Sequence, residues 1–285
     1  MLQRSVYCGV LALTCMASAP AISALNENAS PGNFGLEADI GAAYNPAALD
    51  FSADAWYRYV YHREDAPLGD GLYVQGGGQA SINAAYGQLG VYVEWLPVAV
   101  LQLHAQIDRY FFFGQNGALL SFADKHAAFG DHELNARRGL EVTGQANRLL
   151  LQPTLQATLG RYTVNNETRF SFYTFESPGS YFWEPEYDTL LRKNDRLVAN
   201  ETSLLRTFTP TLCNGTLTLG PYFEIIYAFG AALERRRLGI AFNFEPTANH
   251  NRRQPHFYFQ AGINLRDRNR DGQFYFSGGV GVGFE

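Results

Sequence analysis

The chain has 285 residues, of which 14% are aromatic and 28 are glycine, with a formal net charge of −5. So mild an acidic balance argues against nucleic acid as a partner. Beyond residue 24 no stretch approaches the roughly 18 uninterrupted apolar residues of a membrane-spanning helix, which excludes a helical inner-membrane protein but not a β-barrel, whose lipid face needs only alternate residues to be apolar.

The first 24 residues read as a signal peptide. Arg4 supplies a positive start, Val10 to Met16 an apolar stretch, and Ala17 to Ala24 a run of small residues for cleavage, after Ala24 or alternatively after Ala21. Neither Cys8 nor Cys15 follows the Leu-small-small pattern of a lipoprotein signal, so no lipid anchor is expected. Cleavage would leave Cys213 as the single cysteine and no intramolecular disulfide. Residues 25–285 read as one domain, without internal repeat, low-complexity tract or linker.

From Phe34 onward, apolar and polar residues alternate with period 2 in runs of about ten, separated by turn residues. Phe34, Leu36, Ala38, Ile40, Ala42 and Tyr44 share one face and Glu37 and Asp39 the other, until Asn45-Pro46 breaks the run. Ala53, Ala55, Tyr57, Tyr59 and Tyr61 then oppose Asp54, Arg58 and His62, and a polar loop follows at 64–71. Further on, Leu89, Val91, Val93 and Trp95 oppose Tyr92 and Glu94; Leu101, Leu103, Ala105 and Ile107 oppose His104 and Asp108. The aromatic end of that run, Phe111 to Phe113, sits where an interfacial girdle would lie.

A long polar segment, 114–138, carries His126, Asp131, His132 and Glu133 and reads as a solvated loop. Alternation resumes at 140–159 and 162–175, then at 196–207, 216–229, 233–244, 256–266 and 273–284. Counting 185–191 as a strand as well gives an odd number, which would leave the termini on opposite sides of a membrane. Bacterial single-chain barrels have even numbers, so 176–195 is expected to be an external loop. The expected fold is all-β: an antiparallel transmembrane barrel of about 12 strands, with about 10 or 14 as alternatives. Runs this long exceed the five or six residues usual in soluble sheets.

The alternation places Glu37, Asp39, Asp54, Arg58, His62, Glu94, His104, Asp108, Glu167, Arg169, Glu224, Arg235 and Arg237 toward the lumen. Charges of both signs fit an interior held by cross-strand pairs, since an unpaired buried charge is costly. They fit a pore or solute site as well. A single-sign ladder would have indicated ion selectivity; a mixed set favours a plugged or narrow lumen. Lys125 and Lys193 are the only lysines, and arginine, with its fork of donors, suits a carboxylate-lined interior. Nucleotide composition accounts for the bias equally well.

Other constellations are weaker. Asp267-Arg268-Asn269-Arg270-Asp271-Gly272 matches the first half of a calcium loop through Asp267, Asn269 and Asp271. Gly278 stands where the bidentate Glu belongs, and Asp-Gly is a common hairpin turn pair. No metal or cofactor is expected. A barrel lipid hydrolase would need a nucleophile and base at the rim, and none of the six histidines has Ser two residues away, so no catalytic residue is assigned.

The last run ends Tyr275-Phe276-Ser277-Gly278-Gly279-Val280-Gly281-Val282-Gly283-Phe284. Ser277, Gly279, Val282 and Phe284 fall in the order polar-x-Gly-x-x-hydrophobic-x-aromatic. This resembles the C-terminal signal of Gram-negative outer-membrane β-barrel proteins; Glu285 departs from it, because members of that group usually finish on the aromatic. The resemblance is specific in this strand and architectural elsewhere. It implies the outer membrane as location, with lipid, lipopolysaccharide and the barrel assembly machinery as partners. It further implies a porin-like role with small polar solutes, or else a closed structural barrel acting through its loops.

Overall fold

The computed structural model describes residues 32–45, 48–62, 72–177, 179–209, 214–247 and 253–284. The segment read as a signal peptide, Cys213 and Glu285 lie outside these residues. In chain order the elements are β1 (Gly32–Tyr44), β2 (Ala48–His62), β3 (Leu72–Asn83), β4 (Tyr86–Val98), β5 (Leu101–Phe113), β6 (Ser121–Phe122) and the short helix α1 (Asp131–Ala136). There follow β7 (Thr143–Leu159), β8 (Tyr162–Glu176), β9 (Tyr181–Glu184), β10 (Thr189–Arg192), β11 (Asn194–Phe208), β12 (Gly215–Ala228), β13 (Leu233–Pro246), β14 (Arg253–Arg266) and β15 (Phe274–Phe284).

Twelve of these strands close into one barrel, in the order β1-β15-β14-β13-β12-β11-β8-β7-β5-β4-β3-β2. Each neighbouring pair is antiparallel, and the seam runs from Leu36 opposite Phe284 to Tyr44 opposite Phe276. Closure removes every free sheet edge, the condition for crossing a lipid core with strands. The outer face is the apolar half of each alternation: Ile40, Val91, Val93, Ile107, Leu149, Leu151, Leu238 and Ile240 are all exposed. Aromatics ring both ends of that face. Phe34, Tyr57, Tyr59, Trp95 and Tyr162 lie toward the end carrying β1's start and β15's finish, and Tyr44, Phe113, Phe229 and Phe276 toward the other. Girdles of aromatic residues at both rims are what two water–lipid interfaces select.

Parts of the two segments read from sequence as loops fold inward instead, while His126, Asp131 and His132 stay exposed. β6, β9 and β10 form a separate three-stranded sheet, and its Phe122, Phe182, Leu190 and Leu191 are buried along with Leu119 and Leu120. They pack in one cluster with wall residues Tyr86, Tyr110, Phe112, Tyr173, Phe175, Leu197, Ile226 and Leu233. Full burial of each such side chain contributes about 1.5–3 kcal/mol, more than a loop gains by staying in water. The region 185–191 is therefore part strand, but it belongs to this inner stopper and not to the wall. The wall's inward face changes character accordingly, from polar side chains near the end where β1 starts and β15 finishes to Tyr, Phe, Leu and Ala where the stopper sits.

Candidate functional site: a stoppered lumen

Two ionic anchors hold the stopper. On the wall, Asp108 of β5 and Arg148 of β7 are directly opposed, and Arg148 Nε lies 2.8 Å from Asp108 Oδ2. The same guanidinium reaches Glu186 in the β9–β10 turn at 2.6 Å, and Tyr110 donates its hydroxyl to the other Glu186 oxygen at 2.9 Å. All three charged groups are buried, so each compensates a desolvation cost that none could bear alone.

The second anchor comes from the β14–β15 turn. Asp267 Oδ1 accepts the backbone N–H groups of Asn269 and Arg270 at 2.7 and 2.9 Å, which fixes the turn. That carboxylate, put forward from sequence as part of a calcium loop, serves here as a turn cap. Arg270 then points into the mouth, 2.6 Å from Asp188 and 2.8 Å from Asp131, and donates to Asn45 Oδ1 at 2.5 Å. One side chain thus ties the β9–β10 turn, α1 and the β1–β2 turn together. Burial raises the Asp188 carboxyl, but the Arg270 guanidinium beside it, Arg235 and the Trp183 N–H together hold it below its ordinary value. Arg235 of β13 adds a hydrogen bond to the Tyr187 carbonyl oxygen at 2.7 Å.

Beneath the stopper the inward side chains are polar and linked across strands. Asp54 accepts from the Tyr92 hydroxyl at 3.0 Å, and Arg58 donates to Gln75 at 2.8 Å while lying over the Tyr73 ring. Tyr73 donates to Glu94 at 2.7 Å, and Glu94 lies 3.5 Å from His104. His104 is hydrogen-bonded to Gln106, which also reaches Asp108. On the opposite wall Glu167 pairs with Arg169, and Glu224 sits 3.8 Å from Arg235 and 3.6 Å from Arg237. His62 ends β2 opposite Leu72.

Glu37 and Asp39 meet a partner absent from the sequence-derived set. His256 of β14 lies two strands away, with Gly281 between it and Asp39 in the register. A Cβ at Gly281 would collide with Asp39 Oδ1 and the His256 ring, so the glycine gives the space in which they touch. Gly279 does the same beside the Tyr258 hydroxyl. Also missed were Arg148, Glu186 and Arg270. A signal for the stopper was present: Tyr110, Phe112, Tyr173 and Phe175 put apolar rings on the face that Asp108 and Glu167 occupy lower down.

The chain is similar in structure to the KdgM porin, at 9% identity and a TM-score of 0.39, over 88% of this chain and 98% of that one. Likewise it is similar to the NanC porin at 9% identity and 0.40, over 88% and 99%. For the translocator domain of the autotransporter NalP from Neisseria meningitidis the values are 12% and 0.44, over 92% and 90%. The likeness is one of barrel architecture. No protein-family model and no curated protein matches the chain.

Proposed function

We propose that the chain is an outer-membrane barrel whose lumen is a polar cup for small polar solutes, closed at the outer mouth by its own loops. The lipid-facing apolar surface with two aromatic rims supports the membrane, and the final strand's resemblance supports the outer one. The start of β1 and the finish of β15 then lie on the periplasmic side, with the stopper on the cell surface. The observation that carries the reading is the β6-β9-β10 sheet, buried among wall side chains and tied to them at Arg148 and Arg270. Solute held by the Asp, Glu, Arg, His and Gln side chains below it crosses only when that sheet moves. The mixed signs suit neutral polar or zwitterionic solutes, since neither charge dominates the wall.

Planar-bilayer recording tests this. The folded wild-type chain should give rare, brief openings, and the Arg148→Ala/Arg270→Ala double variant sustained ones. Steady wild-type conductance equal to the variant's would overturn the reading. The absence of openings in both would favour a closed structural barrel.

A further inference from the structure

The Glu37–Asp39–His256 cluster lies in the cup on the side away from the stopper. His256 Nε2 is 2.9 Å from Asp39 Oδ1 and 3.6 Å from Glu37 Oε1. One donor atom from each residue falls within 4.8 Å of the other two. Nitrogen and oxygen donors about 2.0–2.2 Å from a zinc-like ion stand about 3.4 Å apart at a tetrahedral angle, so small side-chain adjustments would surround one ion.

Charge points the same way. A protonated His256 balances one carboxylate, and among the described residues it is the salt-bridge partner of both. Asp54 near Glu37 and Glu245 near His256 add further negative charge. A divalent cation on a neutral imidazole offsets one more unit of this negative charge than a protonated His256 does. The side chains keep 28, 24 and 19% of their exposure, so an ion can reach them and retain positions for water or solute. The ring of His256 lies roughly parallel to that of Tyr258, 25° apart, which restricts its orientation, and Gly281 keeps the approach clear.

We infer that Glu37, Asp39 and His256 form a binding site for a divalent transition-metal ion of the zinc class inside the lumen. The inference rests on the cup reading above, and it names a cation as one class of ligand for that cup. An imidazole with two carboxylates selects such ions over magnesium or calcium, which prefer oxygen alone.

The test is titration of the folded, metal-stripped, tag-free full chain in detergent with Zn²⁺ alone, followed by calorimetry. One ion per chain is expected. His256→Gln keeps a donor for Asp39 but removes the imidazole, and should weaken binding more than about tenfold, since even groups that merely orient a ligand act on that scale. Asp39→Asn and Glu37→Gln should weaken it too, and His132→Ala, on the exposed face of α1, should leave it unchanged. Heat-modifiable gel mobility reports whether each variant folds. Should none of the three fold, the visible spectrum of Co²⁺ on the wild-type chain decides: bands of an imidazole–carboxylate site support the assignment, and the spectrum of the aqueous ion overturns it. No stoichiometric uptake, or uptake equal in folded His256→Gln, also overturns it. Conductance in metal-free buffer is independent. A chain that binds Zn²⁺ yet conducts steadily retains this site and loses the stopper reading; one that fails to bind and stays closed does the reverse.

Discussion

Arg148 is buried between two carboxylates, one on the wall and one on the stopper. Truncation to Ala strands Asp108 and Glu186 as uncompensated buried charges. The expected cost is about 3–5 kcal/mol, measurable as a lower urea midpoint for the folded barrel. Glu184 carries a different sensitivity. Burial first, and the neighbouring Glu186 second, push its carboxyl up to about 8, although the N–H groups of Glu186 and Tyr187 favour its charged form. In a displaced hairpin it would titrate near its ordinary 4.5. A pKa raised by docking means that its contribution to seating is full below about 4.5 and is lost as pH rises through about 8. Wild-type openings should therefore become more frequent from about pH 6 to about pH 9, and Glu184→Gln should flatten that rise. Asp188 has the opposite sign: its carboxyl is held low, so the Arg270 latch survives at neutral pH and fails in acid. Of these residues, Asp108 was legible in sequence because it sits in a clean alternation. Glu186, which shares Arg148 with it, lies in a distant turn, and no local pattern joins the two.

At the scale of elements, period-2 alternation exposed the wall strands because each has one face toward lipid and one toward the lumen. The stopper strands have no such asymmetry. Tyr181-Phe182-Trp183 and Leu190-Leu191 are short apolar runs, and a strand buried on both sides does not alternate. Length and polarity then made 114–138 resemble a solvated loop, although Ala118, Leu119, Leu120 and Phe122 in it are buried. The DRNRDG turn was recognisable as a turn, but its role came from Arg270 meeting Asp188 and Asp131, contacts set by the third dimension. Arg270→Ala should leave the barrel folded, as judged by heat-modifiable mobility, and make the β9–β10 hairpin several-fold more susceptible to added protease. Gly281→Ala acts on a wall element instead. Its methyl would force Asp39 and His256 apart, so Zn²⁺ uptake should fall while the stopper's protease resistance stays unchanged.

For the whole molecule, the even strand number and the common end of β1's start and β15's finish follow from closing an all-antiparallel ring. That much the alternation and the last strand disclosed. Whether the lumen is open was not readable, because it depends on where two loops go after the strands are placed. Labelling with a membrane-impermeant maleimide on intact cells tests it most directly, using single cysteines in a Cys8→Ser/Cys15→Ser/Cys213→Ser background. Leu190→Cys sits in the stopper, where Leu190 has 0% exposure; His132→Cys sits on the surface, with the His132 side chain 92% exposed. Rapid labelling of the second, and labelling of the first only after denaturation, is the expected result. Equal labelling of both on folded protein would contradict a stopper seated in the barrel mouth.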